Sequence, residues 1–473
     1  MGLWTRKPIE TLLAEANDTS ENSLKRGLGW PSLTLLGIGG VIGAGIFVLT
    51  GQQAAVNAGP AIVISFIIAG VVCAFVALCY AELASMIPVA GSAYTYTYAT
   101  LGEFIAWLIA WDLILEYGLA AATVSAGWAG YFKRMMHGFG VDMPDAWTTA
   151  PYAATGGFNV EPTGAVLNLP AMAVILLMAA FLIAGITQSK VVNNVIVGLK
   201  TTIVLAVIAF GASHIDPANW TPFIPDAIPA TPTEPAHFGW GGIGAAASVI
   251  FFAYIGFEAV STAAQEAENP QKNMPIGILL SLAVCTVLYI LMALVITGIA
   301  PFATLNNPAP VATALAAVPD LAWLEQTVNV GVAVGLASTI LSLLYGQSRI
   351  LYSMSRDGLL PPWIGSVNPK TRTPIWGTVL VAAFAAIVGG LFPIGLLGEL
   401  VSMGTLLAFG LICAGVLYLR VKHPELPRSF KTPIIWFTAP VGILGCAFLV
   451  YKLPPETWPR LFVWMGIGLV VYF

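Results

Sequence analysis

Long apolar runs separated by short polar stretches dominate the chain. Twelve of these runs hold about 20 residues, the length of a helix that crosses the ~30 Å hydrocarbon core of a bilayer. They lie at 31–55, 60–87, 100–130, 168–187, 191–211, 241–265, 276–300, 328–355, 375–392, 396–419, 433–452 and 457–473. The pattern therefore predicts an all-α integral membrane protein with 12 transmembrane helices.

Composition excludes a soluble fold. Hydrophobic residues make up 58% of the 473 residues and charged residues only 9%, whereas soluble domains carry about 25% charged residues. The segment 1–30 is polar, mixed in charge and without an early apolar core. It is expected to be a cytoplasmic amphipathic segment, because a signal peptide needs an apolar centre.

The Lys and Arg residues fall mainly on one side of the predicted membrane. With the N-terminus inside, the inner loops hold 14 of them, and the outer loops hold four, Lys133, Arg134, Lys452 and Arg460. Basic residues concentrate in cytoplasmic loops. Both termini are therefore expected in the cytoplasm, with the protein in the plasma membrane.

A glycine-rich run, Leu36–Phe47, interrupts the first apolar stretch with glycines at 37, 39, 40, 43 and 45. Each glycine inside a helix costs about 0.5–1 kcal/mol relative to alanine, and unwound backbone in a membrane must be covered by protein or a cavity. The run therefore predicts a broken helix whose free N–H groups, at Ile42, Gly43, Ala44 and Gly45, cradle an anion. The alternative is a small-residue packing face, since Gly39 and Gly43 have Gly-xxx-Gly spacing.

A second interruption is predicted about 210 residues later, within Ser248–Glu258, where aromatic residues, one glycine and one carboxylate meet. Each break opens a set of five runs on opposite sides of the membrane, which predicts a five-plus-five inverted repeat with broken first and sixth helices. The expected organisation is a first repeat at 31–211, an extracellular proline-rich loop at 212–240, a second repeat at 241–420 and two accessory spans at 421–473.

Lys200 lies within a predicted span, about ten residues or ~15 Å from the inner surface. At that depth its side chain is too short to reach water without distortion, and a buried charge costs at least ~2.5–3.5 kcal/mol. The functional hypothesis is a proton-coupling lysine. The structural alternative is a permanently charged lysine held by helix carbonyls.

Three buried acids and one aromatic side chain are further candidates. Asp112 and Glu116 lie one helical turn apart. Asp112 is expected to brace neighbouring helices, whereas Glu116 either faces the cationic part of a substrate or is structural. Glu258 follows the second break and either links gating to protonation or braces the break. Phe252 is the candidate gating aromatic.

No pattern points to catalysis or metal binding. The cysteines fall in apolar runs and are expected to be buried packing residues, and the histidines lie in loops without ligand spacing; these are Cys73, Cys79, Cys285, Cys413, Cys446, His137, His214, His237 and His423. The sequence therefore predicts neither an enzyme nor a cofactor, and no nucleic-acid partner.

Several motifs, in order along nearly the whole chain, resemble the amino acid–polyamine–organocation (APC) superfamily of permeases. They are Gly39-Gly-Val-Ile-Gly-Ala-Gly-Ile-Phe47, Tyr80–Tyr94, Phe257-Glu258 with Asn269-Pro270, and Ser355–Pro361. Two further segments are most similar to the bacterial form of the cationic amino acid transporter subfamily, Trp111-Asp-Leu-Ile-Leu-Glu-Tyr117 and Asn219-Trp-Thr-Pro-Phe-Ile-Pro225.

The resemblance implies the fold of the bacterial leucine transporter and transport by alternating access. It places a substrate carboxylate on the backbone of Ile42 to Gly45 and the amino group on carbonyls of both breaks, with contacts at Phe252, Ala253 and Ile255. Val192–Lys200 resembles the segment whose lysine replaces sodium in proton-coupled relatives. Gly40 and Ser338 are then its expected neighbours, with Thr339 as a rival. One departure is Gln265 before Glu266, where the family often has two acids.

The leading hypothesis is a proton-coupled amino acid symporter in the lipid bilayer. Its expected substrates are cationic amino acids such as arginine and lysine, or a broad range including alanine. The alternatives are an exchanger or uniporter without proton coupling and, less favoured, a non-transporting amino acid sensor. A small single-span membrane subunit is a further partner that the sequence leaves open.

Overall fold

The fold is built almost entirely from helices. A computed structural model describes residues 5–8, 27–89, 92–154, 160–185, 190–229, 237–371 and 373–473, so most of the predicted segment 1–30 lies outside the described residues. In these ranges the α-helices are α1 Trp30–Val41, α2 Thr50–Gln53, α3 Ile62–Met86, α4 Ser92–Thr100, α5 Glu103–Gly138, α6 Leu169–Ile183, α7 Lys190–Gly211, α8 Gly239–Ile250, α9 Pro270–Ile299, α10 Pro310–Ala316, α11 Ala322–Arg356, α12 Ile375–Leu391, α13 Ile394–Lys422, α14 Ile435–Lys452 and α15 Thr457–Tyr472.

Many of these helices are long and apolar enough to cross a membrane. The described residues contain eight such segments, Gly45–Met86, Glu103–Gly138, Asn193–His214, Gly239–Glu266, Pro270–Ile299, Pro319–Arg356, Ile394–Lys422 and Ile435–Lys452, and three shorter apolar helices, Trp30–Val41, Leu169–Ile183 and Ile375–Leu391. The prediction of a helical membrane protein is confirmed at this level. Helix ends differ from the apolar limits: α5 continues past 130 to Gly138, because hydropathy marks the lipid boundary and not the end of a helix.

Two connections that the sequence predicts on the outer side contain structure that the sequence pattern does not reveal. Tyr152–Ala154 (β1) pairs in antiparallel register with Val160–Pro162 (β2), so the fold is not purely α-helical. The described part of the loop 212–240 holds two single 3₁₀ turns, Ala212–His214 and Pro217–Trp220, where an extended connection is predicted. In the second turn the Asp216 side chain accepts a hydrogen bond from the Ala218 N–H, which stabilises its start.

The first predicted span is broken, as the glycine-rich run predicts. α1 ends at Val41, and Ile42 is extended (φ −71°, ψ 96°). Helical structure resumes at Gly45 with a π-helical turn, Gly45–Leu49, followed by α2 and a second π turn, Ala54–Ala58. These wide turns leave the i→i−4 ladder irregular through the outer half of the segment.

A second break interrupts the segment that begins with α8. A 3₁₀ turn at Phe251–Tyr254 is followed by extended Ile255 (φ −60°, ψ 127°) and by Gly256 with φ 127°. A 3₁₀ helix, Glu258–Glu266, then continues the chain. The positive φ explains the glycine, because a side chain is strongly disfavoured in this backbone conformation.

The two breaks lie directly against each other. A Cβ atom added to Gly45 would lie 2.3 Å from Ala253 Cα, and one added to Gly256 would lie 2.4 Å from the carbonyl carbon of Gly40. The glycines therefore allow two unwound backbones to cross in contact. The alternative interpretation of Gly39 and Gly43 as a helix-packing face fits Gly39, which packs closely against Val197. It does not fit Gly43, where an added Cβ atom would lie 3.6 Å from Thr339 Cγ2, an ordinary contact distance.

Charged side chains fasten one end of α3 to the end of α13. The buried Glu82 carboxylate accepts hydrogen bonds from Arg420 Nε and Nη2, both at 2.8 Å, and from Arg428 Nε at 3.1 Å. The Thr432 N–H adds a fourth bond at 2.7 Å. A carboxylate with so many donors is well compensated for its burial, so these bonds tie α3 to the end of α13 and the residues that follow it.

Candidate functional site

A small cavity lies where the two breaks meet, with a volume of about 20 Å³. One wall is backbone of the first break, with Gly43, Ala44 and Gly45. Such a volume has room for a water molecule but not for an amino acid. Entry of a substrate therefore requires the walls to move apart.

The opposite walls are mostly apolar side chains. They come from α5, α11 and the second break, and they are Ala120, Val124, Leu343, Phe252 and Ile255. The Thr339 side chain of α11 adds a hydroxyl group at the edge. Phe252, the predicted gating aromatic, is 6% exposed and lines the cavity. Ala253 does not belong to the cavity lining and packs against Gly45 instead.

The predicted anion cradle is narrower than expected. Gly43, Ala44 and Gly45 face the cavity, and the helical segment that starts there has no side-chain cap among the described residues. The Ile42 N–H, in contrast, donates to the Ile38 carbonyl at 2.8 Å. Ile42 therefore ends the inner helix, and the N–H groups left for a ligand begin at Gly43.

Protein groups satisfy the other helix ends at the two breaks. The Tyr289 hydroxyl lies 2.6 Å from the carbonyl oxygen of Val41 and 2.9 Å from that of Ala253, the carbonyl ends of the two interrupted helices. Glu258 Oε2 accepts from the N–H groups of Gly256 at 2.8 Å and Phe257 at 3.0 Å. Of the two hypotheses for Glu258, these hydrogen bonds support the one in which its side chain braces the second break.

Lys200 connects the first break to α11. Its Nζ donates to the carbonyls of Gly39 at 3.1 Å and Ile42 at 3.2 Å, and to Thr339 Oγ1 at 2.6 Å. The side chain is 2% exposed. Gly335 makes room for its stem, since a Cβ atom there would lie 2.9 Å from Lys200 Cγ.

Two predicted neighbours of Lys200 are corrected by these contacts. The carbonyl on α1 belongs to Gly39 and not to Gly40, whose backbone packs against Gly256. The hydroxyl group on α11 belongs to Thr339 and not to Ser338, whose Oγ donates to the Gly335 carbonyl at 2.9 Å. In both cases adjacent residues on a helix point about 100° apart, so only one can face the lysine.

The buried acids of α5 lie outside the cavity. Glu116 is one turn before Ala120, which does line it, and its Oε2 has no hydrogen-bond partner among the described residues. Asp112 lies against Gly404, and neither of its carboxyl oxygens has such a partner. Asp112 thus contacts the neighbouring helix α13 by packing, without a hydrogen bond among the described residues, and its expected role as a brace stays a prediction.

Sequence reasoning misses Tyr289 and the apolar wall. Tyr289 lies near the middle of the run 276–300, but its phenol is neutral, so the argument from the cost of a buried charge that identifies Lys200 does not select it. Ala120 and Val124 continue the face of α5 that begins with Glu116, at intervals of four residues.

The five cysteines are all buried, as expected, and free. The described residues contain no cluster of three potential metal ligands.

Two interrupted helices whose backbone ends meet at a buried cavity are typical of membrane transporters that bind their substrate at mid-depth. The chain belongs to the amino acid permease family, because the family model described as "Amino acid permease" matches residues 28–472. It is thus a permease of the APC superfamily related to the cationic amino acid transporters, and not an enzyme.

Individual relatives carry several substrate names. The chain is 45% identical over 471 residues to the "Methylthioribose transporter" of Bacillus subtilis (strain 168), covering 100% of this chain and 97% of the relative. It is 45% identical over 472 residues to the "Branched-chain amino acid permease BcaP" of the same organism, with the same coverage. It is 34% identical over 420 residues to "Cationic amino acid transporter 4, vacuolar" of Arabidopsis thaliana, covering 89% and 67%.

Proposed function

We propose that this permease is a proton-coupled amino acid symporter of the plasma membrane. It works by alternating access, with 12 spans in a five-plus-five inverted repeat and both termini cytoplasmic. One observation carries the proposal: of the helix ends at the two breaks, the N-terminal end at Gly43 to Gly45 lacks a side-chain cap and faces the cavity.

This arrangement suits the shared part of every α-amino acid. A helix N-terminus attracts the carboxylate, because its N–H groups and dipole favour negative charge. The carbonyl ends at Val41 and Ala253 lie close by and favour the ammonium group. A zwitterion therefore matches both poles of the site, whereas a simple anion or cation matches one.

Lys200 supplies the proposed link to protons. A charged lysine has three N–H donors, and the side chain has three acceptors, on Gly39, Ile42 and Thr339. A neutral amine has only two N–H donors, so loss of the proton either leaves one acceptor without its bond or requires the Thr339 hydroxyl to turn away from the Gly335 carbonyl, to which it donates at 3.2 Å, and donate to the amine. Deprotonation thus weakens the connection between the first break and α11, which permits the two to separate.

The apolar wall favours a neutral aliphatic substrate. Ala120, Val124, Ile255 and Leu343 offer no charge to a substrate side chain, which agrees with the branched-chain specificity named for one relative. A cationic substrate is the second candidate. It is favoured by Glu116, whose unpartnered oxygen lies one turn beyond the wall.

Uptake into proteoliposomes tests the function. Labelled leucine, alanine and arginine are each supplied with an inward proton gradient, without sodium, and unlabelled methylthioribose is added as a competitor. We expect accumulation of leucine or alanine, little effect of methylthioribose, and no accumulation by Lys200→Ala. Lys422→Ala, which removes an exposed lysine, is the matched control.

Each alternative has its own outcome. Counterflow without gradient-driven accumulation in the wild type would indicate an exchanger or uniporter. Binding without any flux would indicate a sensor. Accumulation by Lys200→Ala would remove the lysine from the coupling mechanism, and preferred uptake of arginine that Glu116→Gln abolishes would establish the cationic alternative.

A further inference from the structure

The Tyr289 hydroxyl occupies a special position between the two broken helices. It lies 2.6 Å from Val41 O and 2.9 Å from Ala253 O. Val41 is the last residue of α1, and Ala253 lies in the turn that ends the α8 segment. Neither carbonyl can find its usual partner four residues on, because the chain is extended directly afterwards.

The hydroxyl group is fixed in place by its surroundings. Tyr289 is fully buried, and its ring packs against those of Phe66 and Tyr254 with centroid distances of 5.4 Å and 5.5 Å. It is anchored on α9, a continuous helix of 30 residues. A rigid hydroxyl therefore holds two backbone ends that are otherwise free to move.

Both carbonyl groups carry partial negative charge, and the ends of two helix dipoles repel each other when they meet. The proton of Tyr289 lies between the two oxygens and offsets this repulsion. Both oxygens therefore meet at this hydroxyl group, and one of the two residues, Val41, also lines the cavity.

We propose that Tyr289 is a positioning residue for the substrate ammonium group, which it aligns with the carbonyls of both breaks without itself lining the cavity. This inference rests on the proposed amino acid site. It assigns discrimination between an amino acid and its deaminated analogue to a side chain outside the cavity.

The test compares two ligands on the full-length protein. One ligand is leucine, or alanine if the uptake assay selects it. The other is the same molecule without its amino group, 4-methylpentanoate or propionate. Binding of both is measured by calorimetry. The ratio of the analogue's dissociation constant to that of the amino acid isolates the contribution of the ammonium group from that of the carboxylate and side chain.

We expect Tyr289→Phe to weaken binding of the amino acid about tenfold or more, the effect of one hydrogen bond to a charged group, and to leave the analogue unchanged. Tyr254→Phe is the matched control, because it removes a similar buried bond, from Tyr254 Oη to Phe66 O at 2.8 Å, and should leave the ratio as in the wild type.

Two site-specific replacements keep the test independent of folding. 4-Fluorophenylalanine at 289 fills the space of the hydroxyl without donating and should reduce the ratio. 4-Aminophenylalanine retains a donor and should restore it. An unchanged ratio in Tyr289→Phe and in the 4-fluorophenylalanine variant would overturn the proposal, because both ligands would then have lost affinity equally. Failure of the wild type to bind any amino acid would instead overturn the proposed function.

Discussion

The contact between the two breaks predicts a sharp difference between neighbouring glycines. In Gly45→Ala the new methyl group would lie 2.3 Å from both Cα and Cβ of Ala253, whereas carbon atoms pack at about 3.5–4.0 Å. The two backbones must therefore separate by more than about 1 Å, since neither atom is the flexible end of a side chain. Overpacking of this kind costs about 1–3 kcal/mol.

Gly43→Ala is the matched control for thermal stability within the same motif; it is not a control for affinity, because Gly43 itself faces the cavity. Its methyl group would lie 3.6 Å from Thr339 Cγ2, an ordinary contact. A second control, Gly198→Ala, meets nothing within 4 Å and should be neutral or slightly stabilising. The comparison thus separates the loss of glycine from the displacement of the second break.

Uptake in proteoliposomes and thermal unfolding in detergent provide the assays. If the whole cost of about 1–3 kcal/mol appears as weaker substrate binding, affinity falls about 5- to 150-fold in Gly45→Ala, while Gly198→Ala stays within a few-fold of the wild type. Wild-type affinity in Gly45→Ala would refute the close contact of the breaks. An equal loss of thermal stability in Gly45→Ala and Gly43→Ala would show that the glycines provide backbone flexibility and not space for the second break.

Two further substitutions test groups around the site. Thr339→Val removes one acceptor of Lys200, a bond worth about 1.5–3 kcal/mol; proton-driven accumulation should fall about tenfold, and an equal fall in the matched Ser338→Ala would contradict this assignment. Asp112→Asn replaces a buried carboxyl without described partners by a neutral group of similar size. We expect a higher unfolding temperature, because a neutral amide costs less to bury than an unpaired carboxylate, whose cost exceeds the ~1–3 kcal/mol of an unsatisfied neutral group. A lower unfolding temperature would show that the Asp112 carboxyl stabilises the fold.

The broken helices could be predicted because their cause is local. Glycines in an apolar run and the depth of Lys200 are properties of a short window, and the structure places both at the site. The neighbours of Lys200 could not be fixed, because the difference between Ser338 and Thr339, or between Gly39 and Gly40, depends on helix rotation. Rotation is set by packing between segments distant in sequence.

The apolar wall of the site is harder to predict from the sequence than the backbone of the first break. Glu116 is the polar residue that sequence inspection selects on α5, yet the residues that reach the cavity are Ala120 and Val124, one and two turns further on. Apolar residues in a membrane helix give no signal that separates a binding wall from a lipid-facing surface. The contact of Tyr289 with both breaks likewise requires the relative position of three segments.

The triple hydrogen bonding of Lys200 has an electrical consequence. A zwitterionic substrate has no net charge, so the proposed coupling of one proton on Lys200 to each substrate would move one positive charge across the membrane in each transport cycle. A potential of 100 mV then contributes about 2.3 kcal/mol per cycle, enough for roughly 50-fold accumulation without any pH difference. The proposed coupling therefore predicts that uptake of a zwitterion carries an electric current, and the number of charges moved per molecule would report the charge of the substrate.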